Sequence, residues 1–285
     1  MTTTTRSSTT HPDSPPTVSS SRLPPAGTVT LRRVLHSELV KLCTLRSFRV
    51  GLGIAVLLIV GVGVLTSLAV ILADTPADPT GGNPTADPTG GATAGASAAM
   101  FALAAVGVLA VTSEYSSSTI RATFVAVRRR VLVVLAKALI LTVAVGLVTG
   151  LAVLSSFLIA QTILGTEGFR ISLTEPGVAR AVLGSALYLT GVTAMASGFG
   201  WLLRNTTGAL SVLLGVLIVL PLIGFLLPAP LAQVVTPYLP NNAGTAIMQL
   251  TPGGMLPPWT GFAVFFLYTL IVLAAAVLAV RHRDA

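Results

Sequence analysis

Charge is what this sequence has least of. Of its 285 residues, 9% are Asp, Glu, Lys or Arg, where a soluble domain carries about 25%. Seventeen basic and nine acidic side chains cannot cover the outside of a soluble body of this length. That excludes an ordinary soluble enzyme. Disorder of the whole chain is excluded too, because 53% of it is hydrophobic and its mean hydropathy is +0.88. A multi-spanning membrane protein remains. Cysteine is almost missing: Cys43 stands alone, so there is no intramolecular disulfide framework. Lysine is as scarce, with Lys41 and Lys137 the only two. Ala, Val, Gly and Arg dominate instead, a usage typical of GC-rich bacterial genomes.

The catalytic signatures are missing as well. His11, His36 and His282 lie outside the apolar runs, and every Asp and Glu lies in a loop, a tail or at the end of a run. A proton-coupled transporter would need a carboxylate or His relay inside the membrane. A membrane metalloprotease would need HExxH, and an intramembrane serine protease a His or Lys beside its Ser. Neither lysine follows a glycine, so no Walker A loop exists to hold a nucleotide. The chain therefore reads as no enzyme, with no cofactor or metal of its own. If it moves a substrate uphill, the energy comes from another polypeptide that grips its cytoplasmic side.

What is present divides into three parts. Residues 1–28 are rich in Thr, Ser and Pro and read as a disordered cytoplasmic tail. Residues 29–49 read as an amphipathic helix. Leu31, Leu35, Leu39, Leu42 and Leu45 recur at helical spacing, with Arg32, Arg33, Lys41, Arg46 and Arg49 on the polar side and flank. Beside a membrane span, such a helix is expected in the interface, its charges on anionic headgroups. A plain cytoplasmic helix is the alternative. Residues 50–285 hold six apolar runs.

The first run, Val50–Ala73, is free of charge for 24 residues. At 1.5 Å per residue it reaches about 36 Å, enough to cross a hydrocarbon core of about 30 Å. The others lie near 93–113, 138–164, 181–203, 208–228 and 259–280, with Pro221 a kink inside the fifth. Between the first two, the hexamer ADPTGG occurs twice, in what reads as a solvated loop. With the N-terminus inside, fifteen of the seventeen basic residues fall on inner segments, and only Arg170 and Arg180 outside. That bias predicts an N-in, C-in topology. It also accounts for the net charge of +8 without any nucleic-acid partner. Tyr238 and Trp259 fall where an outer aromatic belt is expected. The neutral, proline-rich stretch 229–257 reads equally as a surface loop or as a segment dipping back into the membrane. Gly146 and Gly150 form one GxxxG, equally suited to packing within the chain or across a dimer.

The longest inner loop is residues 114–137. Glu114 and Tyr115 open it, Ser116–Ser118 and Thr119 suit the cap of a short helix over 120–127, and Arg128, Arg129 and Arg130 follow. Such a projecting helix would serve as a lever for a partner protein. Equally, the arginines would fix topology and touch lipid phosphate.

Here the sequence resembles a family, the membrane subunit of ABC-2 type exporters of the small six-span actinobacterial kind. Glu38-Leu-Val-Lys41-Leu-Cys-Thr-Leu-Arg46-Ser47 is similar to the basic helix before the family's first span. Glu114, Tyr115, Thr119, Ile120, Arg121, Arg128, Arg129 and Lys137 match its first inner loop and the lysine entering span three. YLPNNAG at 238–244, PWTGF at 258–262 and the C-terminal RHRDA are similar to its last segments. Ser116–Ser118 and Val127 depart from the pattern. The resemblance implies an all-α membrane protein of six spans that pairs as a homodimer in a bacterial plasma membrane. Two copies of a separate ATPase would carry ATP and Mg and drive alternating-access export of a hydrophobic substrate. Glu114, Tyr115, Thr119, Arg121 and Arg128–Arg130 would form the coupling loop. Arg32, Arg33, Glu38, Lys41 and Arg46 would belong to the interfacial helix, and membrane lipids would be further partners. The competing readings are a membrane scaffold or sensor whose inner loop binds a signalling protein, and a secondary transporter, which the uncharged runs disfavour.

Overall fold

The computed structural model describes residues 31–72, 90–116, 130–165, 171–250 and 256–282. The expected tail 1–28, the repeat loop through residue 89 and residues 117–129 lie outside these. Among the described residues the structure is predominantly helical, without strands. We number the helices α1 (Leu31–Thr44), α2 (Arg46–Leu72), α3 (Gly90–Ser116), α4 (Arg130–Leu164), α5 (Val178–Leu203), α6 (Thr206–Gly224), α7 (Ala229–Val235), α8 (Pro240–Thr245) and α9 (Pro258–His282). Six of them, α2 to α6 and α9, are long and apolar enough to cross a membrane. The chain is a multi-pass membrane protein by that measure, in keeping with the six expected runs.

Two helices form the centre. α3 and α5 pack on each other and bury most of their length, while α2, α4, α6 and α9 surround them and stay largely exposed. Small residues allow this. A Cβ on Gly107 of α3 would overlap the Thr193 carbonyl of α5, and one on Gly95 would overlap the Ile59 carbonyl of α2. Lipid is as apolar as leucine, so close backbone approach replaces the hydrophobic drive that would join these helices in water. Gly146 and Gly150 face Thr190 and Ala186 of α5, so this GxxxG packs within the chain. Several buried hydroxyls are satisfied within their own helix. Thr149, Ser185, Thr193 and Thr269 each donate to the carbonyl four residues back. The outer helices turn leucines outward, Leu57 and Leu65 of α2 among them, as lipid-facing surfaces do.

The fifth span is not a plain kinked helix. Residues Gly215–Val219 form a π-turn, in which the Leu220 N–H donates five residues back to the Gly215 carbonyl. Pro221 follows at once. It has no N–H and crowds the carbonyl four residues earlier, so a widened turn absorbs the mismatch. Beyond α6, the stretch left open by the sequence divides. α7 is exposed, whereas α8 and the short turn Ala246–Met248 fold back on α5 and α9 with Ala243, Ile247 and Met248 buried. Arg180 of α5 holds this segment by donating to the Ile247 carbonyl at 3.0 Å and the Leu250 carbonyl at 3.3 Å. Tyr188 holds it from within, donating to Asn241 Oδ1 at 2.5 Å with Met100 Sδ 2.8 Å away.

Candidate functional site

Among the described residues, one end of the bundle brings together Lys41, Lys137 and Arg204 around the end of α3. On α1, Glu38 and Lys41 are three residues apart and therefore neighbours on the helix surface. Lys41 Nζ donates to Glu38 Oε1 at 2.7 Å. Glu38 shares the bundle-facing side of α1 with Leu42, and both are buried. On α3, Ala110 and Glu114 are one turn apart on one face. On α4, Lys137 lies seven residues after the start of the helix at Arg130, so its long side chain reaches across to that face. Its ammonium bonds Glu114 Oε1 at 2.5 Å and the Ala110 carbonyl at 3.1 Å, and lies 3.5 Å from Glu38 Oε2. Lys41 Nζ also lies 3.8 Å from Glu114 Oε1.

Two carboxylates and two ammonium groups thus form one network with no net charge. Glu38 and Lys137 are each 1% exposed and Glu114 is 8% exposed. A buried charge is costly unless paired and hydrogen-bonded, and each of these has more than one partner. Both lysines of the chain are used here. The network fastens α1 to α3 and α4 at the point where two spans end.

Tyr115 follows Glu114 in the chain and, one helical step on, faces another way. Its ring meets Trp201 of α5 edge-on at 5.9 Å, and the Arg204 guanidinium lies over it at 5.5 Å from the ring centre. Arg204 itself closes α5 in the left-handed region, at φ 53, and lies two residues before α6. Such a conformation is strained for a residue with a Cβ. Two residues before Glu114, Thr206 of α6 donates to Thr112 of α3 at 2.8 Å, and Thr112 donates to the Val108 carbonyl. The last turns of α3 thereby touch α1 and α4 on one side and the α5–α6 junction on the other.

The expected site residues fare differently. Glu38, Lys41, Glu114 and Tyr115 are brought together around the end of α3. Glu114 and Tyr115 belong to that helix rather than opening a loop, and the Glu114 carboxylate pairs with Lys137; the short helix expected over 120–127 lies outside the described residues. Arg46 begins α2 and is exposed, outside the network. Arg32, Arg33 and Arg130 have helical backbones, and their side chains lie outside what is described. Thr119, Arg121, Arg128 and Arg129 lie outside the described residues. Trp201 and Arg204 were not anticipated. Lys137 was expected only as the lysine entering span three, and its pairing with Glu114 on another helix carries no local sequence signal. The packed face of α1 also differs from the leucine pattern: Leu39 is exposed and Glu38 is buried.

Among the described residues no group of three or more His, Cys, Asp or Glu could hold a metal ion. Neither a comparison with protein-family models nor one with curated proteins finds a match to this chain.

Proposed function

We propose that this chain is the membrane-spanning subunit of an ATP-driven exporter of the ABC-2 type, powered by a separate ATPase. In this reading two copies of the chain pair, the basic end faces the cytoplasm of a bacterium, and each copy receives one ATPase there. Movement of the ATPases switches the spans between inward-open and outward-open states. The uncharged spans suit a hydrophobic substrate.

One observation carries the reading. Glu38 and Lys41, Glu114, and Lys137 come from three separate segments that resemble the family, and they meet in one network in which Glu38, Glu114 and Lys137 are buried. Segments acquired for unrelated reasons have no cause to converge. The network also gives the mechanism a physical part. A push on the chain following Ser116 acts on the end of α3, and the end of α3 is bonded to α1, α4, α5 and α6. The same push therefore displaces the interfacial helix and several spans together. Sub-ångström shifts at such a hub become discrete changes because packed interfaces are bistable.

The test is co-expression with the ATPase encoded beside it. The expected result is a stable complex whose export is abolished when the ATPase's Walker lysine is replaced. Glu114→Gln should reduce export driven by ATP while membrane insertion persists. No association with any ATPase, or undiminished export in the Glu114 variant, would sink the respective half of the proposal. A scaffold or sensor would bind a partner through the same end without any efflux.

A further inference from the structure

The outer face of α2 carries a feature that coupling does not use. Arg46, Val50, Gly53, Ile54 and Leu57 fall at helical spacing on one side of the helix. All five are exposed. Val50, Ile54 and Leu57 are 60%, 47% and 70% exposed, and a Cβ on Gly53 would meet nothing within 4 Å. The stripe is thus an apolar strip with a notch, rising from an arginine. Arg49, about one turn on from Arg46 and also exposed, stands beside the stripe next to Val50.

The charge around it is of one sign. At this end the described carboxylates are Glu38 and Glu114, and both are buried against Lys41 and Lys137. Neither arginine has a carboxylate within ion-pair distance among the described residues. The network therefore removes the acidic groups that would otherwise compete for Arg46 and Arg49.

We propose that an anionic phospholipid docks on this face, with its phosphate-bearing headgroup on Arg46 and Arg49 and an acyl chain along Val50 to Leu57, seated over Gly53. Two guanidiniums match a phosphate diester by charge and by fork geometry. The apolar strip continues directly from them into the lipid-facing part of the span, so headgroup and chain are bound by one continuous surface. A protein partner at the same height would leave the strip above it uncovered. The site lies on the elbow between α1 and α2, so its occupancy would brace the helix that carries Glu38 and Lys41.

The purified full chain is mixed in detergent with equal amounts of a phosphatidylglycerol and the phosphatidylcholine of the same chains, and bound lipids are counted by native mass spectrometry. Each arginine at the surface is worth about fivefold, so the anionic lipid should be retained about 25-fold over the zwitterionic one. The Arg46→Gln/Arg49→Gln double variant should fall to near parity. Gly53→Leu should lower retention of both lipids, because the notch is filled. Arg281→Gln, an exposed arginine of the same end on α9, should leave the preference intact. These side chains are exposed, so a monodisperse elution profile confirms that the variants fold. Parity in the unaltered chain overturns the proposal, as does an equal loss in Arg281→Gln. It is also overturned if the double variant keeps the lipid preference but loses self-association or ATPase binding, since the face would then be a protein interface. The lipid count needs no ATPase and no export, so it stands or falls apart from the transporter reading.

Discussion

Lys137 Nζ and Glu114 Oε1 are 2.5 Å apart, joining the second turn of α4 to the last turn of α3, with both side chains shut away from the surface. Removing one member of such a pair strands the other. Lys137→Met should therefore destabilise the chain by about 3–5 kcal/mol, because Glu114 and Glu38 then share a buried site with only Lys41 to offset them. Replacing both ends, as Lys137→Met with Glu114→Gln, should recover a large part of that loss. Thermal unfolding in detergent, followed by fluorescence-detected gel filtration, measures both. A double variant no more stable than the single one would show that the pair is not the coupled unit described.

Glu38 tests a different attachment. It is the residue of α1 that reaches both lysines, at 2.7 Å and 3.5 Å. Glu38→Gln keeps the volume and removes the charge. The bundle should remain folded, since Lys137 keeps Glu114 and the Ala110 carbonyl, while α1 loosens. Amide exchange over residues 37–45 should rise at least tenfold, with exchange in α3 and α5 little changed. Equal acceleration throughout the bundle would mean that Glu38 supports the core and not the docking of α1.

The six spans were legible because a run without charge over 20 or more residues has few other uses. Their ends were not. Hydropathy stops a span at its first charge, which put Glu114 in a loop and Lys137 at a threshold. In the structure Glu114 lies in the last turn of α3 and Lys137 in the second turn of α4, where each neutralises the other across two elements. That pairing is a contact between residues 23 positions apart, and no local pattern reveals it. The same contact misled the reading of α1, where leucine spacing favoured Leu39 for the packed face. Ion partners on α3 and α4 draw Glu38 inward instead. Tyr115 was legible as a motif residue, but its partners Trp201 and Arg204 depend on how α5 ends.

The glycines of the packed centre make a contrasting pair of predictions. Gly107 lies against the Thr193 carbonyl and the Ala196 side chain, whereas Gly61 of α2 has open space where a Cβ would be. Gly107→Ala should cost about 1–3 kcal/mol, because α3 and α5 must move apart along their whole contact. Gly61→Ala should leave stability unchanged or raise it by up to about 1 kcal/mol, through its helix propensity. Equal melting temperatures for the two variants would contradict the packing of α3 on α5.

The segment Pro240–Met248 is held against α5 at two places, eight residues apart on that helix. Tyr188 bonds Asn241, and Arg180 bonds the Ile247 and Leu250 carbonyls. Tyr188→Phe removes one neutral hydrogen bond and should cost about 0.5–1.5 kcal/mol. Arg180→Gln removes charge-assisted bonds and should cost about 1.5–3 kcal/mol. Either tether alone keeps the segment seated, so each single variant should leave amide exchange over 240–248 within a few fold of the parent. The double variant should release it, raising exchange there well beyond the product of the single effects while α3 and α4 stay protected. Strict additivity would show that the two bonds act on independent units, and that the segment does not move as one piece.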